Sequence, residues 1–236
     1  MKYSHQQNMK LVIFDFDGTI ADTSGGILDS HRFALSAMGI EIPTAEELRS
    51  VIGGNLLNTY IERFGFAEPD AREAVRIYRE RYAEVGIHKA VLYPGFADMV
   101  KELKNKGYEV GVATLKAENF AKTMLDEMGI ADYFDEVCGM DPNDGLDKAG
   151  LILKCCDLCG CGKNEATLVG DSNNDFIGAK QAGVDFIGVT YGFGFNSGEK
   201  YEFKTVNSCA ELLELLINPP YSNINIVKES SVLEKR

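Results

Sequence analysis

The chain has 236 residues, of which 45% are hydrophobic and 25% charged, a balance typical of a folded protein and not of a disordered chain. Lys and Arg number 24 against 36 Asp and Glu, and the formal net charge of −12 argues against partners such as nucleic acid or an anionic membrane. No apolar run approaches the roughly 18 residues of a membrane span and the first ten residues are polar, so we expect a soluble cytoplasmic protein.

Short apolar runs alternate with amphipathic helical patterns along most of the chain. The apolar runs lie at 10–16, 108–114, 135–139, 166–170 and 185–190. The helical patterns lie at 96–106, 117–128, 148–158 and 175–182. This alternation predicts an α/β fold with a Rossmann-like parallel sheet that is covered on both faces and binds ligands beyond the carboxyl ends of its strands.

The stretch from 22 to 92 interrupts this alternation. It contains no strand-like run, and its apolar residues recur every three or four positions, which predicts helices over 27–38 and 69–85. We therefore predict an inserted α-helical cap domain of residues 22–92. The remaining boundaries are a core of residues 1–21 and 93–218 and a tail of residues 219–236, after a helix that stops at two prolines.

Four acidic residues lie at or just after predicted strand ends. Asp15 and Asp17 follow the first strand, Asp171 follows the strand at 166–170, and Asp175 opens the next helix, where it could also serve only as a cap. Carboxylates that converge repel one another unless a cation or a shared proton lies between them. Mg²⁺ prefers such oxygen ligands, so the pattern indicates a magnesium site.

A hydroxyl and a lysine accompany these acids. Thr114 ends a strand, and its side chain and the following backbone N–H groups suit phosphate oxygens. Lys148 opens a helix, where the dipole disfavours a cation, so it is either a solvated lysine or a residue on which carboxylates converge. Lys116 and Lys154 are the alternatives to Lys148 as the lysine on which the carboxylates converge.

Other conspicuous residues allow two interpretations each. Four of the six cysteines lie within 155–161, and they are either structural thiols or part of a zinc or redox site, although no second Cys-x-x-Cys or His pair lies nearby. Tyr191, Phe193 and Phe195 either line the crevice or pin a glycine-rich surface loop. The three histidines are expected to be surface or packing residues.

These motifs together resemble the haloacid dehalogenase superfamily. The resemblance rests on DFDGTIAD at 15–22, ATLK at 113–116, Lys148, and VGDSNND at 169–175, in that order. The helical insertion, with Ile-Gly-Gly at 52–54 and LYPG at 92–95, is similar to the phosphoglycolate phosphatase-like subfamily. The chain departs from that subfamily at Lys148, which is followed by Ala instead of Pro, and at Leu115, where Ser is frequent.

The resemblance implies a role for each acidic residue. Asp15 would be the nucleophile that forms an aspartyl-phosphate, and Asp17 the general acid and base. Lys148 would offset the charge that gathers on the phosphoryl group. The predicted metal-site residues are Asp15, Asp17 (through its carbonyl) and Asp171 as ligands of Mg²⁺, and Asp175, which would act from behind these ligands or through water. The predicted phosphate- and substrate-binding residues are Gly18, Thr19, Thr114, Leu115, Arg49, Gly53 and Gly54.

The implied activity is that of a Mg²⁺-dependent phosphatase acting on a small phosphorylated metabolite, with phosphoglycolate as the first candidate. The alternatives are a phosphotransferase resembling β-phosphoglucomutase, a 5′-nucleotidase or pyrophosphatase, and a phosphate-binding protein without activity. We expect residues 22–92 to move as a lid hinged near 22–23 and 93–94. The expected state is a monomer or a homodimer, with no nucleic acid or membrane partner.

Overall fold

The computed structural model describes residues 10–53, 55–141 and 145–218. The strands are β1 (Leu11–Phe14), β2 (Ala21–Asp22), β3 (Val91–Leu92), β4 (Glu109–Ala117), β5 (Glu136–Met140), β6 (Ala166–Gly170), β7 (Asp185–Val189) and β8 (Lys204–Val206). The α-helices are α1 (Ser24–Ala37), α2 (Ala45–Arg49), α3 (Leu56–Asn58), α4 (Glu68–Arg81), α5 (Phe96–Asn105), α6 (Glu118–Glu127), α7 (Lys148–Leu158), α8 (Asn173–Ala182) and α9 (Cys209–Ile217). Single turns of 3₁₀- or π-helix lie at Thr59–Arg63, Tyr82–Gly86, Ile87–Lys89, Ala131–Tyr133 and Lys163–Glu165.

Six strands form one parallel sheet in the order β5-β4-β1-β6-β7-β8. Strand β1 lies inside the sheet, and its Leu11 is opposite Glu109 of β4 and Ala166 of β6. The predicted α/β class with a Rossmann-like core is confirmed. Strand β8 was not predicted, because Lys204-Thr205-Val206 is too short and too polar to stand out as an apolar run.

The two faces of the sheet are covered by different helices. Because side chains alternate along a strand, Val12 and Phe14 of β1 join the core that also contains residues of α5, α6 and α9. Leu11 and Ile13 join a second core with residues of α7 and α8. All four side chains are fully buried, so β1 is a central strand whose carboxyl end is held rigidly.

Helices α1 to α4 and their connecting turns lie between β2 and β3, and we call residues 23–90 the helical segment. Strands β2 and β3 pair antiparallel, with Ala21 opposite Leu92 and Asp22 opposite Val91. The expectation of no strand within 22–92 was wrong at its two ends, since a two-residue strand is too short to show a pattern. The predicted helix over 69–85 is also divided, because α4 ends at Arg81 and a π-helical turn follows.

The domain boundaries and the mobile lid remain predictions. Gly54 and the tail at 219–236 lie outside the described residues. None of the described helices is both long and apolar enough to cross a bilayer. The six cysteines are free thiols, and Cys155 and Cys156 of α7 are packed in the second core. Cytoplasmic location and oligomeric state stay predictions.

Candidate active site

Three acidic side chains meet beyond the carboxyl ends of β1 and β6. Asp15 directly follows β1, and its backbone N–H donates to the carbonyl of Val169 at 2.9 Å, so the strand pairing continues to this residue. Asp171 directly follows β6, and Asp175 lies in the first turn of α8. All three are buried, and one carboxylate oxygen of each lies within 4.8 Å of the others.

The first turn of α8 orients Asp175. Ser172 caps this helix, and its backbone N–H and hydroxyl donate to Asp175 Oδ2 at 3.0 and 2.6 Å. The second oxygen, Oδ1, lies 2.7 Å from Lys148 Nζ. Asp175 therefore serves as part of a capping box and also belongs to the acidic cluster, so the two interpretations of this residue hold together.

Lys148 connects two of these acids. Its ammonium donates to Asp15 Oδ1 at 2.6 Å and to the carbonyl oxygen of Ala113 in β4 at 2.8 Å, in addition to its pair with Asp175. Burial alone would lower the pKa of Lys148, but the charges of Asp15 and Asp175 outweigh it and raise this pKa above its ordinary value. Of the candidate lysines, it is Lys148 on which carboxylates converge. Lys154 lies at the surface, 3.8 Å from Glu118.

Burial makes this cluster a poor place for uncompensated negative charge. It raises the pKa of Asp15 to about 6, against the attraction of Lys148. It also raises the pKa of Asp171 to about 8, with a further contribution from the charge of Asp15. The cluster contains three carboxylates and one lysine, so protons or a cation must balance the remaining negative charge. The hard oxygen donors and the excess negative charge fit a divalent ion such as Mg²⁺.

Close backbone approaches shape the wall next to Asp171. Gly18 has a φ of +81°, and a Cβ atom added to it would collide with the Asp171 carboxylate. Gly192 would collide with the same side chain, and the N–H of Phe193 donates to Asp171 Oδ2 at 2.6 Å. The loop at 191–195 therefore lies against the site, while buried Phe195 anchors it against Phe203, with ring centroids 5.0 Å apart.

Asp17 lies apart from the three-carboxylate cluster and has its own lysine. Its Oδ1 is 3.0 Å from Lys116 Nζ, and Lys116 in turn donates to the hydroxyl of Tyr82 at 2.7 Å. Burial would lower the pKa of Lys116, but Asp17 and Tyr82 outweigh it and raise this pKa. Thr114 is buried beside this pair, and its Oγ1 accepts from the Lys116 N–H at 3.2 Å.

The remaining predicted site residues are spread more widely. Leu115 is exposed, and Thr19 is buried with its carbonyl accepting from the Tyr191 hydroxyl at 3.2 Å. Arg49 is exposed at the end of α2, and Gly53 lies in the turn that follows. Among the described residues, no hydrogen bond or ion pair joins the Arg49 side chain to the acidic cluster.

Although Phe193 was among the aromatic residues that could line the crevice, sequence analysis did not identify three groups at the site, namely Tyr82, Gly192 and the backbone N–H of Phe193. The alternation of glycine and aromatic residues at 191–195 was a signal for the last two, because glycines in such a loop permit close backbone approach. Tyr82 carried no signal beyond its place in a helical periodicity. Its role is visible only from the packing of the helical segment against the carboxyl ends of the strands.

Known proteins resemble this chain in sequence and in fold. A family model described as haloacid dehalogenase-like hydrolase matches residues 12–189. A 5′-nucleotidase from Pseudomonas aeruginosa is 34% identical over 206 residues, which are 86% of this chain and 92% of that protein. Phosphoglycolate phosphatase 1 from the same organism is 34% identical over 193 residues, 78% of this chain and 70% of its own. The crystal structure of a predicted phosphatase from Clostridium acetobutylicum has a TM-score of 0.80 and 29% identity, and the match covers 89% of this chain and 99% of that one.

Proposed function

Because the chain belongs to the haloacid dehalogenase-like hydrolase family, we propose that its acidic site hydrolyses a small phosphorylated metabolite through an aspartyl-phosphate on Asp15. The chain is a phosphoric monoester hydrolase of this family. The proposal adds the intermediate, the metal ion, the substrate and the role of each residue.

One observation carries the proposal. The ammonium of Lys148 contacts both Asp15, at 2.6 Å, and Asp175, at 2.7 Å, in a buried cluster that also contains Asp171. These residues come from separate positions in the chain and converge on one buried ammonium. A positive charge fixed beside a nucleophilic carboxylate lowers the cost of bringing an anionic phosphoryl group to it.

Asp15, Asp171 and the carbonyl of Asp17 would hold Mg²⁺, and Asp175, whose oxygens contact Lys148 and Ser172, would act from behind these ligands or through water. The ion would neutralise phosphoryl oxygens and orient the group for in-line attack. The high pKa values of Asp15 and Asp171 support this proposal, since both carboxylates bind protons at neutral or mildly acidic pH when no cation is present.

In the proposed reaction, a carboxylate oxygen of Asp15 attacks phosphorus and the ester oxygen leaves with a proton from Asp17. Asp17 then removes a proton from the water that hydrolyses the aspartyl-phosphate, so it is regenerated as an acid and inorganic phosphate is released. Thr114 and the N–H of Leu115 would bind phosphoryl oxygens, with Gly18 and Thr19 lining the same turn. Lys148 stays charged throughout.

Phosphoglycolate remains the first substrate candidate, supported by the similarity to phosphoglycolate phosphatase 1. A nucleoside 5′-monophosphate is the second, since the 5′-nucleotidase matches over 92% of its own length. The helical segment would act as the lid, and exposed Arg49 and Gly53, with Gly54, would contact the part of the substrate beyond the phosphate.

Phosphate release from a panel of phosphorylated metabolites tests the proposal. The purified chain is assayed with Mg²⁺, with EDTA, and as Asp15→Asn, and the panel includes phosphoglycolate, AMP, pyrophosphate and β-glucose 1-phosphate. We expect Mg²⁺-dependent release from at least one monoester and a loss of roughly 10⁴-fold or more in Asp15→Asn. Equal turnover by wild type and Asp15→Asn would overturn the nucleophile assignment, and conversion of glucose 1-phosphate to its 6-phosphate would favour the phosphotransferase.

A further inference from the structure

The second lysine of the site, Lys116, is buried in a manner that the proposed function does not explain. Only 5% of its side chain is exposed. Because lysine is seldom buried without a partner, the groups around its ammonium must compensate the charge. Its ammonium lies 3.0 Å from Asp17 Oδ1 and 2.7 Å from the hydroxyl of Tyr82, and 4.7 Å above the centre of the Tyr82 ring. Its backbone N–H is fixed by Thr114.

These contacts join two parts of the molecule. Lys116 belongs to β4 and Asp17 to the turn after β1, whereas Tyr82 begins the π-helical turn of the helical segment. The ammonium is therefore shared between an acid of the sheet edge and a phenol of the helical segment. The ion pair with Asp17, the hydrogen bond and cation–π contact with Tyr82, and the ring of Phe16 at 5.6 Å together offset the cost of burying this charge.

The helical segment holds Tyr82 firmly. Its ring stacks on Tyr78 of α4, with ring centroids 5.9 Å apart and an interplanar angle of 5°. The turn that carries it packs closely on α1, because a Cβ atom on Gly26 would collide with the backbone of Gly86. The position of the Tyr82 hydroxyl is thus a property of the helical segment and not of a free side chain.

We propose that Lys116 and Tyr82 are positioning residues that hold the carboxyl group of Asp17 where it can donate a proton to the leaving oxygen. Through Tyr82, this position depends on the placement of the helical segment. The inference rests on the proposed function. Asp17 is followed by Gly18 and a quarter of its side chain is exposed, so it needs a partner to hold one orientation. Without the helical segment in place, Lys116 loses Tyr82 and its hold on Asp17 weakens.

Two kinds of ester separate positioning of Asp17 from general damage to the site. Alkyl phosphates such as 2-phosphoglycolate and AMP need a proton on the leaving oxygen, whereas p-nitrophenyl phosphate releases a stable phenolate without one. The value of kcat/KM covers steps only up to the formation of the aspartyl-phosphate. It therefore reports on Asp17 as an acid and not on its later role as a base. The alkyl ester that wild type hydrolyses faster is compared with the nitrophenyl ester.

We expect Lys116→Met to lower kcat/KM about 10²-fold for the alkyl ester and less than about threefold for p-nitrophenyl phosphate. Lys116→Arg should recover part of the loss, since it keeps the charge. Tyr82→Phe, which keeps the stacked ring, should lower the alkyl value about tenfold, and adding it to Lys116→Met should cost less than about twofold more because the two act as one unit. The controls are Lys122→Met, which removes an exposed lysine paired with Glu118, and Tyr108→Phe, which removes a hydroxyl bonded to Leu216.

Equal losses for both esters, no loss for the alkyl ester, or additive effects of the two substitutions would overturn the positioning role while leaving the proposed phosphatase intact. A wild-type protein that hydrolyses neither ester would instead overturn the proposed function, and the inference with it. Thermal melting monitors folding of every variant. If Lys116→Met does not fold, the ratio between the two esters in Tyr82→Phe decides the question.

Discussion

The two lysines of the site are held in contrasting ways. Lys148 is bound by Asp15, Asp175 and the Ala113 carbonyl, all of which belong to the sheet edge and the helix beside it. Lys116 is bound by Asp17 from the sheet edge and by Tyr82 from the helical segment. One half of the site is therefore complete within the α/β core, whereas the other half exists only where the core and the helical segment meet.

Under the proposed function, the two halves would have distinct roles. Groups that hold the metal ion and the phosphoryl group must keep a fixed geometry, and parallel strand ends provide it because their backbones are hydrogen-bonded on both sides. Groups that handle the leaving oxygen would face the variable part of the substrate. Their place at the junction would make the position of the proton donor depend on whether the substrate is enclosed.

The largest effect is expected at the sheet edge, from Lys148→Met. Removing this ammonium leaves Asp15 and Asp175 buried without their partner, which costs about 3–5 kcal/mol in the free energy of unfolding. The kcat should fall roughly 10²- to 10³-fold for alkyl and nitrophenyl esters alike. Thermal melts and steady-state assays measure both quantities, and Lys154→Met on the same helix is the control.

An ester-dependent loss in Lys148→Met, of the kind expected for Lys116→Met, would contradict the division of the site into two halves. Mg²⁺ should recover part of the lost stability, because the cation replaces some of the missing positive charge.

The second prediction concerns pH and the metal ion together. Asp15 and Asp171 have folded-state pKa values of about 6 and 8, above the ordinary value of 3.8. The folded metal-free protein therefore binds more protons than the unfolded chain between about pH 4 and pH 8. Their contribution to the free energy of unfolding is fully present below about pH 4 and is lost, by on the order of a few kcal/mol, as the pH rises to about 8.

Since Mg²⁺ competes with these protons, it should raise the melting temperature much more at pH 8 than at pH 5. Melts with and without Mg²⁺ across this range check the prediction. Asp171→Asn should flatten the pH dependence and abolish most of the Mg²⁺ effect. A stabilisation by Mg²⁺ that is the same at both pH values would show that these carboxylates do not hold the ion.

A smaller effect is expected from Gly18→Ala. The new methyl group would displace the Asp171 carboxylate, and we expect Mg²⁺ affinity to fall about tenfold. Gly107→Ala is a matched control, because Gly107 has a similar φ of +83° but nothing within 4 Å of an added Cβ atom. Isothermal titration should show that only Gly18→Ala weakens the metal, while both variants lose some stability from backbone strain. Equal metal affinities in the two variants would contradict the role of Gly18.

The smallest effect is expected in the helical segment away from the junction. Arg49→Ala should raise KM a few-fold and alter the order of preferred substrates, while the Mg²⁺ requirement stays unchanged. Arg79→Ala, an exposed arginine of α4, is the control. An unaltered substrate order would remove Arg49 from the substrate site.

The sequence was sufficient for five of the six strands of the sheet and for the acidic residues at their carboxyl ends. These strands leave apolar runs, and their ends are marked by Asp15, Asp171 and Thr114. It also singled out Lys148, whose meaning depended on whether acids converge on it. The junction with the helical segment could not be predicted. Tyr82 has the periodicity of any buried helical residue, and its contact with Lys116 spans 34 positions in the chain. The short strands β2 and β3 were not predicted either, because only their pairing across the chain defines them.

The pairing of β2 with β3 predicts that the helical segment can be exchanged for another. The chain leaves the sheet edge at Asp22 and returns at Val91, and these two residues are direct partners, so a foreign insertion of any length needs only to start and finish on the same ribbon. Chimeras that transplant the segment from a relative should therefore preserve the sheet. Whether such a graft also turns over its donor's substrate would depend on whether it brings a phenol to the place of Tyr82.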